Sequence, residues 1–202
     1  GCDVELSNAT KEALLEPSIN GHSHLHDALH LPFAIHSGDD GRACEQALFL
    51  MDCIFKAASR FPEVLQHLLQ DPNKDGFTPL HAALISAKPE IVSAYLDKVT
   101  EAVSIRAIDS TAYAKMLCAP NKDGFTPLHD ALRSAKPEIV SAYLEKVIEA
   151  VSAKAIDSTA YAKMLCDPNK AGFTPLHEAL ISENPEIVSA YLEKVTEAVS
   201  TD

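Results

Sequence analysis

"NKDGFTPLHAALISAKPEIVSAYLDKVTEAVSIRAIDSTAYAKMLCAP", residues 73–120, is followed at once by a near-copy at 121–168, "NKDGFTPLHDALRSAKPEIVSAYLEKVIEAVSAKAIDSTAYAKMLCDP". The two differ at seven of 48 positions, and a third copy opens at Asn169 and runs to Asp202. One such unit has too little apolar surface to close a core. Copies that stack on one another bury a continuous core instead, so the repeat predicts a solenoid.

Each copy spells helices. Asn, Asp and Gly in "NKDG" tolerate the left-handed backbone of a tight turn. Thr78 then supplies a hydroxyl N-cap, and Pro79 sits at the first helical position, where its missing N–H is not needed. This predicts a short helix over roughly 78–87. Pro89 opens a second helix, whose residues Ile91, Val92, Tyr95, Leu96, Val99, Ala102 and Val103 form one apolar stripe at helical spacing. Glu90 in its first turn suits the helix dipole. "DSTAYAKMLCAP" starts on a cap at Asp109 or Ser110, turns Tyr113, Met116 and Leu117 inward and stops before Pro120, a third short helix. No segment alternates as a strand does. The expected fold is all-α, three helices per unit.

The stretch "DGFTPLHAALISAKPEIV" resembles the ankyrin repeat: a turn, then T-P-L-H-x-A, a short break and E-I-V in the second helix. Residues 75–92, 123–140 and 171–188 all carry it in register. The unit is longer than the family's usual ~33 residues. The added length lies in the second helix and in "AIDSTAYAKMLCAP", which stands where the family has its β-hairpin finger. The resemblance therefore implies an ankyrin-like solenoid with an extra short helix in place of the finger.

With the register fixed, "GHSHLHDAL" at 21–29 aligns with "GFTPLHDAL", placing Ser23 on Thr78 and His26 on His81. The expected division is a capping helix at 1–19, a degenerate unit at 20–72, units at 73–120 and 121–168, and an incomplete unit at 169–202 beyond which the chain continues. In the first unit "LPFAIHSGDDGR" is expected to be a loop, and "FPEVLQHLLQDP" the third helix.

Composition narrows the function. The chain is 47% hydrophobic and carries a net charge of −12, with no run of Lys and Arg. Phosphate backbones and anionic membranes repel such a surface, so neither nucleic acid nor membrane is an expected partner. No apolar stretch approaches the ~18 residues of a membrane-spanning helix. Five cysteines without tight spacing make no disulfide framework. Cys118 and Cys166 fall in matching places and are expected to be small buried hydrophobes, which fits a reducing compartment. The cytoplasm is the expected location, or the host cytosol if the parent chain is an injected bacterial effector.

Four histidines, His22, His24, His26 and His30, crowd residues 21–30. His26 and His30 have the i, i+4 spacing of a helical metal pair. The ankyrin resemblance gives His26, with His81, His129 and His177, a structural job instead: bonding backbone near the turn. No metal and no cofactor are expected, and no residues form a catalytic constellation. A thiol at a repeated apolar position reads as packing rather than as a nucleophile, so no enzyme is expected within this chain.

In ankyrin proteins the partner lies along the concave face, made by turns and first helices. The candidate contacts here are the aromatic column Phe77, Phe125 and Phe173, which is either buried between units or a row of exposed anchors. Beside it lie Ala82, Asp130 and Glu178, the pairs Ile85–Ser86 and Arg133–Ser134, and Ile181–Ser182. Positions 82 and 85 change chemical type between copies that otherwise hardly differ, and are therefore expected to face solvent or a partner. The resemblance implies a monomeric protein–protein interaction module. The alternative is a targeting arm of a larger enzyme whose catalytic domain lies outside this chain.

Overall fold

The computed structural model describes residues 2–18, 21–34 and 40–199, with side chains described over 8–18, 21–29 and 41–196. Among these residues there are twelve helices and no strand. In chain order they are α1 (Cys2–Leu15), α2 (His24–Ala34), α3 (Asp40–Ala58), α4 (Pro62–Gln70), α5 (Pro79–Ile85), α6 (Pro89–Ser104) and α7 (Ser110–Cys118). They continue as α8 (Pro127–Arg133), α9 (Pro137–Ser152), α10 (Ser158–Cys166), α11 (Pro175–Ile181) and α12 (Pro185–Val199). None is long and apolar enough to cross a membrane.

The helices stack in rows. The short first helices α2, α5, α8 and α11 pack in series, as do the longer α3, α6, α9 and α12, while α4 and α7 lie against the helices that follow them. The fold is thus an all-α ankyrin-like solenoid with the extra helix where a hairpin finger was in question. The core runs through the stack. Tyr95, Tyr143 and Tyr191 are buried, and each hydroxyl donates to a carbonyl of the preceding third helix: Leu69 at 2.8 Å, Leu117 at 2.6 Å and Leu165 at 2.7 Å. A buried phenol needs such an acceptor, so the aromatic column also ties neighbouring helices together.

Local chemistry sets the helix ends. Thr78 caps α5 and Asp109 caps α7, where its carboxylate accepts from Ala112 N–H at 2.7 Å. Helix α6 ends because Arg106 turns left-handed at φ 60°, letting Ala107 N–H reach back to Ala102 C=O at 2.9 Å. Lys154 does the same after α9, at φ 57°. Gly76 and Gly124 take φ near 84° and 82° in the turns. They also lie where turns touch: a Cβ on Gly76 would sit 2.7 Å from the Lys122 nitrogen. That nitrogen donates to Asp75 C=O at 3.0 Å, and Lys170 N–H donates to Asp123 C=O at 2.9 Å, so successive turns are hydrogen-bonded.

Two expectations change. Helix α2 runs on through Pro32 to Ala34, and α3 begins at Asp40, so part of the loop expected over 31–42 is helical. Residues 35–39 of that loop, and the His30 side chain, lie outside the described residues. Cys166 is exposed and Cys118 half-buried, with Cys118 Sγ 3.9 Å from Met164 Sδ. The covering residue comes from the next copy, which Cys118 has and Cys166 lacks among the described residues.

Candidate functional site

The turns and first helices form one continuous face, and a histidine column holds it together. Thr78 N–H points at Nδ1 of His81 (3.2 Å), and the Thr78 hydroxyl lies 2.8 Å from the same nitrogen. Nδ1 is therefore the acceptor and Nε2 carries the proton. That N–H donates to Phe125 C=O in the next turn at 3.1 Å. His26 reaches Phe77 C=O at 2.8 Å, and His129 reaches Phe173 C=O at 3.0 Å. Each histidine fastens its own cap and the turn that follows. Burial pushes the His81 pKa down to about 4 and lowers that of His129, since no water remains to solvate a charged ring.

Of the opening histidines, the three whose side chains are described have partners of their own. His26 is at the head of this column, with Ser23 playing the threonine's part at 2.8 Å. His24 Nε2 lies 2.8 Å from Ala13 C=O, and His22 Nδ1 lies 3.1 Å from Asp27. Among the described residues no three potential ligands converge on one point.

The aromatic column is neither wholly buried nor wholly free. Phe77 and Phe125 are half-buried and Phe173 is exposed. Each ring stands edge-on to the histidine of its own copy, at 5.7, 5.8 and 6.0 Å between centroids. Ile85 is half-buried, and Arg133 and Ile181 are exposed.

The expectation for positions 82, 130 and 178 is corrected. Ala82, Asp130 and Glu178 are only 4%, 3% and 6% exposed, because this position of the first helix turns toward the neighbouring copy. Ser86, Ser134 and Ser182 also serve the fold. Each hydroxyl donates to the carbonyl three residues back at 2.6 Å and accepts the N–H two residues on at 3.3 Å, closing the end of its helix.

Asp130 stands apart from Ala82 because a carboxyl there must be desolvated. Burial raises its pKa to about 7, with Arg133 opposing the shift and Glu178 adding to it. Arg133 lies 3.9 Å from Oδ1, beyond hydrogen-bond reach, and Oδ2 meets no donor. Burial likewise raises the pKa of Glu178.

Asp130 lines a notch of about 380 Å³ between two successive copies, walled by Phe77, Ile85, Phe125, Arg133 and Ser134. Leu84, Ala87, Asn121 and Asp123 complete it, residues that sequence reasoning did not single out. For Asp123 a signal was present, since the third copy has Ala171 at the same place. A second cavity of similar size opens on another side, between the ends of α4 and α7, lined by Gln70, Pro72, Lys115, Met116 and Pro120 among others.

Comparison with known families agrees with this geometry. The model of a family described as ankyrin repeats (3 copies) matches residues 50–154, just over half of the chain. No curated protein matches it.

Proposed function

Since the chain belongs to the ankyrin repeat family, whose members generally serve as protein-interaction modules, we propose that it is a rigid binding scaffold that holds a protein partner along the face of turns and first helices. One observation carries this reading. On that face Ile85, Arg133 and Ile181, which change character between near-identical copies, reach the surface at matching places, with the aromatic column beside them. Most side chains that pack between copies are held to one size by the stacking, with Ala82, Asp130 and Glu178 the exception. A partner is free to select those that reach the surface. The second helices present a different face, where Asp97, Glu101, Glu145, Glu149 and Glu193 are exposed and solvated.

The scaffold acts by binding and not by chemistry. Burial pushes the Cys118 thiol up to about 11, away from the thiolate a nucleophile needs, and its sulfur packs on methionine. Among the described residues Cys44, Cys53, Cys118 and Cys166 form no disulfide, which suits a reducing cytoplasm. The 48-residue unit is an enlarged ankyrin unit whose added third helix packs against the copy that follows.

Photo-cross-linking tests the reading. A benzoylphenylalanine at position 85 or 181 should trap a discrete protein adduct in cells, and one at position 97 or 145 should not. Adducts formed only from 97 and 145 would place the partner on the second helices and overturn the proposal.

A further inference from the structure

The notch around Asp130 holds a carboxyl that the fold does not ask for. Ala82 occupies the same place one copy earlier, equally buried and without a polar group. A buried carboxyl with an oxygen lacking any donor destabilises a fold, and native structures rarely keep one without reason. Here the orphan is Oδ2, on a side chain only 2% exposed whose residue borders an open notch.

The rest of the lining has the character of a cation seat. The face of Phe125 already accepts a guanidinium, that of Arg133, with its carbon 5.0 Å from the ring centroid. Phe77 faces the same space. Asp123 also borders the notch, and Glu178 is close enough to raise the Asp130 pKa. Arg133 is the one cationic residue lining it, among those described, and it is mostly in solvent. The combination occurs once: the preceding copy has Ala82 and the following one has Ala171 in place of Asp123.

We propose that this notch seats the guanidinium of an arginine-bearing segment of the protein partner, paired with the Asp130 carboxylate, which turns its unpartnered oxygen outward as the segment enters, and lying against the phenylalanine rings. The inference rests on the protein-binding role above and names its anchor. A guanidinium fits better than an ammonium because it is planar, weakly hydrated, able to stack on an aromatic face and able to meet a carboxylate with more than one N–H. Arg133 is then a resident competitor, loosely held at 3.9 Å and displaced when the partner enters.

Backbone amide chemical shifts of the full chain test this with a short Gly–Ser peptide carrying one arginine and its citrulline twin. The arginine peptide should shift the amides of Phe77, Phe125, Asp130 and Arg133, and the citrulline peptide should not. Asp130→Ala, which installs the side chain of Ala82, should weaken binding roughly tenfold or more, while Arg133→Ala should tighten it. Equal shifts from both peptides, shifts confined to the second helices, or wild-type affinity in Asp130→Ala would overturn the anchor. If the anchor fails while cross-linkers at 85 and 181 still trap a protein, the binding face stands without it.

Discussion

Leu132 and Leu180 sit in the same place of nearly the same sequence, "PLHDAL" and "PLHEAL", on helices of equal length. Leu132 is 0% exposed and Leu180 is 58% exposed. The histidines diverge in step. His129 lies between its own cap and the Phe173 carbonyl, while His177 keeps the cap, with Thr174 Oγ1 2.7 Å from Nδ1, and Nε2 meets no acceptor among the described residues. Local sequence therefore decides where a helix starts and stops. The neighbouring copy decides whether its side chains become a core.

That contrast can be broken by paired substitutions. Leu132→Ala should cost about 2–5 kcal/mol of unfolding free energy, because it leaves a cavity inside the stack. In the 202-residue chain Leu180→Ala should cost about 1 kcal/mol or less, since that side chain is 58% exposed there. Equal losses in urea melts would show that the two sites share one environment. His129→Ala should cost about 1–3 kcal/mol, stranding the Phe173 carbonyl and the Thr126 cap together. His177→Ala loses the cap contact alone and should cost less.

Acid and base sharpen the picture from opposite sides. His81 has a folded pKa of about 4 against an unfolded value near 6.5. Between these pH values the unfolded chain binds the extra proton, so stability falls as pH drops from 6.5 toward 4. Asp130 runs the other way, with a folded pKa of about 7 against 3.8 unfolded. The folded chain holds the extra proton over that range, so the stability contributed is lost as pH rises through 7. Asp130→Ala should abolish the second slope and leave the first. Its advantage over wild type should be largest near pH 8 and shrink toward pH 4 in thermal melts.

The smallest effect is a local one, and it should not depend on a neighbour. Ala135 and Glu183 occupy one place in successive copies, both left-handed at φ 54° just past a first helix. A side chain there costs energy that glycine avoids. Ala135→Gly and Glu183→Gly should each raise stability by about 0.5–1 kcal/mol. A gain at one site only would mean that the neighbour also governs the helix ends.

Much of this was legible in the residues. The Thr-Pro pair fixed the start of α5, α8 and α11, the stripe around Tyr95 fixed the buried face of the second helix, and the ankyrin resemblance implied a histidine that bonds the turn. Positions 82, 130 and 178 were not legible. A change from Ala to Asp between copies marks a place that tolerates a charge, and surfaces usually do so. Here the tolerance comes from a notch beside a buried position, with Arg133 nearby to offset part of the desolvation. A notch between copies is a property of the stack, and no single copy spells it. The serines at 86, 134 and 182 were missed for a simpler reason, since a helix-ending hydroxyl and a surface hydroxyl look alike in sequence.

The most direct measurement of neighbour control is the nitrogen–proton spectrum of the histidine rings. Hydrogen-bonded and buried Nε2–H protons exchange slowly enough to be seen, whereas one open to water does not. In the 202-residue chain, visible Nε2–H signals from His26, His81 and His129, with none from His177, are the expected result. A signal from His177 as protected as that of His129 would contradict it, because the local sequence alone would then suffice to build the column.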